Sequence, residues 1–264
     1  MIYGMPTLLE LKTLDENVSL CRELGLAFVE FNMNLPQYQI DRIDERHLLE
    51  LADKNGIFYT VHLAAETDVC HFNKKVSAVW ADTVLDAVSL AKRLLIPVLN
   101  MHFSRGDRFS MPDRKIYLYE EYLPDFLKNL SDFRDKCEKA VGSSDIKICI
   151  ENTSGFNLPF LRKGLEVLLE SPVFGLTFDT GHNHRAGGQD GDFILERKDK
   201  LRHLHLHEST IRNDHLPFGE GEIGIEKVFR DFSEFPDLTA VVEVKTVDGL
   251  KKSVEWLREL SYFP

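Results

Sequence analysis

The stretch Gly175-Leu176-Thr177-Phe178-Asp179-Thr180-Gly181-His182-Asn183-His184 ends an apolar run on a carboxylate and places an imidazole three residues later. The run is short, apolar and bounded by glycine, as a buried strand would be. A carboxylate at the carboxyl end of such a strand must be compensated, and a metal ion is a common compensation. Asp-x-x-His just past a strand can bring an oxygen and a nitrogen ligand to one point. The competing interpretation is a helix-capping Asp179 followed by a solvated histidine. Taken alone, the stretch favours capping. Its recurrence along the chain favours chemistry.

Runs of the same kind lie at Ile2–Met5, Phe28–Phe31, Phe58–His62, Val98–His102, Lys147–Glu151, Leu204–His207 and Ala240–Glu243. Helical patterns separate them. Val18, Cys21 and Leu24 recur at helical spacing behind a Thr13–Glu16 capping box, and Gly25 stops them. Arg46–Asn55 is closed by Gly56, and Ser77–Leu95 carries Val84, Val88 and Ala91 on one face. Tyr122, Phe126, Leu130, Phe133 and Cys137 form one apolar stripe. Leu158–Leu169 has Asn157 as its cap, Phe193–Lys200 and Ile225–Phe232 are short, and Val254, Leu257 and Leu260 mark a terminal helix. Strand and helix alternate about eight times without a linker, which implies a parallel sheet covered by helices. Over residues 1–264 this predicts an α/β fold, one closed (β/α)₈ TIM barrel domain. An open doubly wound sheet would carry a glycine-rich phosphate turn after its first strand, but Gly4 and Gly25 stand isolated.

The strand ends point to function. From the third strand on, they finish on or near His62, His102, Glu151, Asp179, the trio His203, His205 and His207, and Glu243. In a barrel all these ends share one mouth, where active sites sit. Side chains alternate along a strand, so Thr60, Asn100 and Thr177 lie beneath His62, His102 and Asp179. One or two polar strand ends are ordinary; six in succession predict a metal site. His203, His205 and His207 share a face, and by depth the central one fits best. Imidazole mixed with carboxylate suits zinc, manganese, iron or cobalt better than calcium. His71 and His184 read as loop residues. Beyond the seventh strand, Gly219, Gly221 and Gly224 permit close approach to a ligand. In that loop Arg212 is suited to an anionic group and His215 to metal or substrate, while Glu220 and Glu222 read as surface.

Composition narrows the partners. Asp and Glu number 43 against 32 Lys and Arg, a formal charge of −11, which gives no general attraction to phosphate backbones or anionic lipid. Cys21, Cys70, Cys137 and Cys149 have no metal or redox spacing and read as reduced thiols of a cytoplasmic protein. No signal peptide and no membrane helix is expected. The sequence leaves oligomeric state open, a homo-oligomer included.

At Ile150–Gly155, Phe178–His182, His205–Glu208 and His215–Gly224 the chain resembles the xylose isomerase-like barrel superfamily. That superfamily includes sugar and sugar-phosphate isomerases and epimerases, inosose dehydratases and endonuclease IV. The resemblance runs from the His62 strand end to Glu243. The isomerase and epimerase branch implies one divalent ion held by Glu151, Asp179, His205 and Glu243, with Glu151 and Glu243 as acid and base. His182, Arg212, His215 and Lys245 are then expected to contact a sugar or its phosphate or carboxylate tail. The endonuclease branch implies up to three zinc ions, with His62, His102, His182 and His215 as further ligands, and DNA as partner. There an Asp is expected where Asn213 stands, although Asp214 is adjacent. The segment Phe31–Tyr38 resembles that branch's DNA-inserting loop, but Pro36 replaces the expected Arg. A third expectation is a barrel that binds a sugar without turning it over.

Overall fold

The computed structural model describes residues 1–263 except 233, 234 and 236. Among them run the strands β1 (Ile2–Pro6), β2 (Phe28–Asn32), β3 (Phe58–His62), β4 (Val98–His102), β5 (Arg108–Ser110), β6 (Lys115–Tyr117), β7 (Lys147–Glu151), β8 (Phe174–Asp179), β9 (Leu201–Leu206) and β10 (Thr239–Val242). All but β5 and β6 are parallel, and they close into a barrel in the order β1-β10-β9-β8-β7-β4-β3-β2. The helices are α1 (Leu14–Glu23), α2 (Glu45–Asn55), α3 (Lys74–Leu94), α4 (Leu118–Glu121), α5 (Leu123–Val141), α6 (Pro159–Leu169), α7 (Thr180–Arg185), α8 (Gln189–Leu195), α9 (Glu226–Asp231) and α10 (Val247–Glu259). The expected single TIM barrel is therefore present. No helix among the described residues is long and apolar enough to cross a membrane.

Local chemistry sets most boundaries. Thr13 and Glu16 form the capping box of α1, and Gly56 takes the left-handed conformation that ends α2. Several expectations move. Asn73 caps α3, so this helix begins ahead of Ser77. Asn157 caps nothing: α6 starts at Pro159, whose fixed φ suits the first turn, and the Asn157 amide donates to Gln189 Oε1 at 2.6 Å. In place of a helix over Phe193–Lys200 there is α8, then a 3-10 turn at Lys198–Lys200. The cause is tertiary. The buried Asp190 carboxylate accepts from Gly155 N–H at 3.2 Å and Phe156 N–H at 2.8 Å, tying the start of α8 to the loop after β7. The hairpin of β5 and β6 interrupts the connection from β4 to the next helices.

The floor of the barrel is aromatic. Phe28 stacks on Phe58 with ring centroids 5.0 Å apart, and Gly4 faces Phe28 across the sheet. A Cβ on Gly4 would lie 2.4 Å from the Phe28 ring. Gly4→Ala is thus expected to lower stability by about 1–3 kcal/mol in urea denaturation, because a close-packed interior absorbs extra volume only through strain. The four cysteines are buried and unpaired. Burial pushes the Cys21, Cys137 and Cys149 thiols up to about 12. Since the thiolate is the reactive form, a colorimetric thiol reagent at pH 8 should titrate no cysteine rapidly in the native protein, and all of them in denaturant.

Candidate metal centre at the barrel mouth

Strand register lays the polar ends side by side. His62 is level with Asn100, His102 with Glu151, Glu151 with Thr177, and Asp179 with His205. His207 lies one residue past β9, and Glu243 one past β10. Glu151, Asp179, His205 and Glu243 are all buried. The two oxygens of Asp179 face different ways. Its Oδ1 caps α7 by accepting from His182 N–H at 2.6 Å, while its Oδ2 faces the centre of the mouth. Asn152 clamps its backbone, donating to Asp179 O at 3.0 Å and accepting from Asp179 N–H at 2.7 Å.

His205 Nδ1 is the focus. Glu243 Oε2 is 3.3 Å away, Glu151 Oε2 3.6 Å and Asp179 Oδ2 3.9 Å. Both ring nitrogens are fully buried and neither makes a hydrogen bond of ordinary geometry. Two ligands at about 2.1 Å from one ion in tetrahedral array stand about 3.4 Å apart, so this spacing is that of a ligand set. An orphaned buried nitrogen facing three carboxylate oxygens leaves room for positive charge and needs it. The residues therefore fit a divalent cation.

The surrounding side chains differ in which atom they offer. His62 gives Nδ1 to Leu63 O at 2.7 Å, which leaves Nε2 free, 3.5 Å from Glu151 Oε2. His102 Nε2 stands 3.5 Å from the same oxygen. His182 Nδ1 lies 3.0 Å from Asn152 O and 3.1 Å from Glu151 Oε1. A nitrogen that donates to a carbonyl carries a proton, so the available ligand atom of His182 is Nε2. His215 Nδ1 lies 3.1 Å from Glu243 O, and the same logic frees its Nε2. Lys245 Nζ sits 2.6 Å from Glu243 Oε1. Arg212 is exposed, and none of these contacts involves it.

Charge compensation shows in the ionisation of these groups. Burial opposes the charge of Glu151, but His102 and His205 outweigh it and hold the carboxyl well below its ordinary range. Burial likewise opposes Glu243, and Lys245 and His205 prevail. Asp179 and Glu151 overcome burial at His182 and raise it to about 10. His215 goes the other way: burial outweighs Glu243 and lowers it to about 4, so its imidazole is neutral.

Sequence reasoning missed one group. Glu30, buried in the middle of β2, lies 3.0 Å from His203 Nε2 and 3.0 Å from His205 Nε2. Its signal is a carboxylate inside an otherwise apolar run, level with Thr60 on β3. Asp214, noted in the sequence only as the neighbour of Asn213, also reaches the site. It stands 3.3 Å from His207 Nδ1 and 2.8 Å from Arg185, while His207 Nε2 is 3.2 Å from Asp179 Oδ2. His203 and His207 thus hold carboxylates in place, and the central imidazole faces the centre. Glu208 anchors the glycine-rich loop by accepting from Ile223 N–H at 2.9 Å and Ile225 N–H at 3.2 Å.

The chain belongs to the xylose isomerase-like TIM barrel family, whose model matches residues 18–260. Solved structures share the fold over nearly the whole chain. A D-tagatose 3-epimerase-like protein superposes with a TM-score of 0.81 at 22% identity, over 99% of this chain and 97% of that one. The 3-keto-D-glucoside 4-epimerase of E. coli gives 0.76 at 13% identity, over 98% and 99%. D-allulose 3-epimerase from Methylomonas sp., in complex with D-allulose, gives 0.72 at 15% identity, over 98% and 96%. At such identities the likeness is one of fold. No curated protein matches the chain in sequence.

Proposed function

We propose that this protein is a divalent-metal-dependent isomerase or epimerase of a sugar or sugar phosphate. The observation behind this is that two buried glutamates, Glu151 at the end of β7 and Glu243 just past β10, reach one His205 nitrogen from strands three apart in the barrel. Glu151, Asp179, His205 and Glu243 would hold the ion, and zinc, manganese or cobalt suits that donor set. When bound, the ion would supply positive charge to a carbonyl oxygen and the hydroxyl oxygen beside it, and so would acidify the carbon next to the carbonyl. The proton passes to one glutamate, the C–H electron pair becomes the new C=C bond, and the carbonyl π pair moves onto its oxygen, giving an ene-diolate. The other glutamate returns a proton. Delivery to the opposite face of the same carbon gives the epimer; delivery to the neighbouring carbon gives the isomer. Lys245 steadies the charge of Glu243. His182, His215, Arg212 and Lys245 are the groups proposed to meet the hydroxyls and any anionic tail. The named sugar-epimerase structures of the same fold support this assignment.

One observation favours a second possibility, an endonuclease IV-like zinc phosphodiesterase acting at abasic DNA. His62 and His102 both aim Nε2 at Glu151 Oε2, as ligands of an additional ion would. Against it, Pro36–Tyr38 forms a 3-10 turn whose Tyr38 is buried and stacked on Phe31 at 5.3 Å, so this ring is part of the core and not free to enter a duplex. The formal charge of −11 also offers no basic stripe. Metal analysis and isotope exchange decide between them. An epimerase is expected to hold about one exchangeable ion per chain at the four-ligand set and to carry solvent deuterium into a ketose or ketose phosphate. Several zinc ions per chain with cleavage of abasic DNA, and no exchange, would overturn the isomerase assignment.

A further inference from the structure

Beneath the four-ligand set lies a buried chain of polar groups that no step above uses. Glu30 sits in mid-strand, 2% exposed, among the residues that fill the barrel. Thr60 Oγ1 donates to its Oε2 at 2.9 Å from the neighbouring strand β3. From across the barrel, His203 Nε2 meets the same oxygen at 3.0 Å. His205 Nε2 approaches the other oxygen, Oε1, at 3.0 Å. The opposite side of His203 is fixed as well, with Nδ1 2.6 Å from Thr239 Oγ1. Every polar atom of this chain is out of water, so its hydrogen-bond pattern is not exchangeable for solvation.

We infer that Glu30 is a positioning residue: it sets the tautomer and direction of His205, so that Nδ1 and not Nε2 serves as the ligand nitrogen of the mouth. An ionised carboxylate only accepts hydrogen bonds. A ring nitrogen 3.0 Å from one is best placed when it carries its proton, because two lone pairs would otherwise face each other. With Nε2 protonated, Nδ1 faces Glu151, Asp179 and Glu243, and its lone pair is the one left for a cation that would sit among them. Carboxylate-to-imidazole contacts of this kind raise ligand basicity and fix ring orientation. The same contact explains the alternation His203-Leu204-His205. His203 and Thr60 hold the Glu30 carboxylate in place on Oε2, which keeps Oε1 for His205. One histidine of the pair is structural so that the other can be a ligand.

The inference rests on the metal-binding assignment made above, and the test separates the two. Nitrogen-15 labelling of histidine, read by long-range proton–nitrogen correlation on the metal-free protein, reports the tautomer of His205 without any ion. The unmodified chain is expected to carry a proton on Nε2, whether or not Nδ1 is protonated as well, and Glu30→Gln to leave Nε2 partly unprotonated. Competition with a chelator then measures Zn²⁺ affinity, and the visible spectrum of bound Co²⁺ reports ligand geometry. Glu30→Gln is expected to weaken Zn²⁺ binding about 10- to 100-fold and to alter the Co²⁺ bands, with the circular dichroism spectrum retained. His203→Phe, which removes one support of Glu30, should weaken binding in the same direction but less. An unprotonated Nε2 of His205 in the unmodified chain, or Zn²⁺ affinity and Co²⁺ bands unchanged in Glu30→Gln, overturns the role of Glu30. Failure of the unmodified chain to bind Zn²⁺ or Co²⁺ overturns the metal assignment instead, and the tautomer still judges Glu30.

Discussion

Glu243→Gln is expected to stop deuterium exchange from one epimer of the substrate and to spare it from the other. In the proposed mechanism the two glutamates stand on opposite sides of one carbon, so each would face the hydrogen of a different epimer. Glutamine keeps the size of glutamate but cannot take up the proton, and loss of such a base costs about 10²- to 10⁴-fold in rate. The epimer whose hydrogen faces Glu243 should then be inert. The other can still lose its proton to Glu151 and regain one from solvent on the same face, exchanging without inverting. Glu151→Gln should show the mirror result. Both residues also stand 3.3 to 3.6 Å from His205 Nδ1, so metal content must be measured on the same samples. Deuterium entering both epimers at the normal rate in Glu243→Gln would remove Glu243 from its role. The variant should keep its fold, because Lys245 is partly exposed and can turn to water when its 2.6 Å partner loses charge.

The unequal legibility of this site has physical causes. The strand ends are readable because each couples a short apolar run to one side chain that burial would otherwise forbid, as at Lys147–Glu151 and Phe174–Asp179. The barrel followed from their alternation with helices. What the pattern did not carry was anything depending on the opposite wall. Depth along β9 pointed to His205, but the division of labour among His203, His205 and His207 is set by Glu30 and Asp179 on other strands and by Asp214 in a loop. Glu30 lies inside the Phe28–Phe31 apolar run, where a carboxylate is expensive without the partners the opposite wall supplies. The helix predicted over Phe193–Lys200 is displaced for a similar reason. Asp190 draws the chain onto the loop after β7, and no propensity within Gln189–Lys200 records that contact. The Ser154 backbone adopts a positive φ of 64° in the same loop, a conformation that such tertiary contacts must hold.

Asp179 caps α7 and holds His207, and ligation is the third role proposed for it; two substitutions pull these apart. Asp179→Ala is expected to lose the ion and to destabilise the protein together. It removes the oxygen that accepts from His182 N–H at 2.6 Å, a cap worth about 0.5–2 kcal/mol. It also leaves His207 Nε2, now 3.2 Å from Asp179 Oδ2, facing an empty place in a buried site, and breaking a buried ionic contact costs about 3–5 kcal/mol. Asp179→Asn keeps the shape and the capping oxygen, since Asn caps as well as Asp does. It removes the charge that an ion would require, and with it one of three carboxylates crowded around His205 Nδ1. Urea denaturation of the metal-free proteins should therefore place Asp179→Asn near the unmodified chain and Asp179→Ala well below it, while Zn²⁺ competition should find both variants weak. Equal instability of the two variants would mean that the charge itself supports the fold through His207. Full Zn²⁺ affinity in Asp179→Asn would mean that Asp179 caps α7 and nothing more, and the four-ligand centre would have to be rebuilt around Glu151, His205 and Glu243 alone.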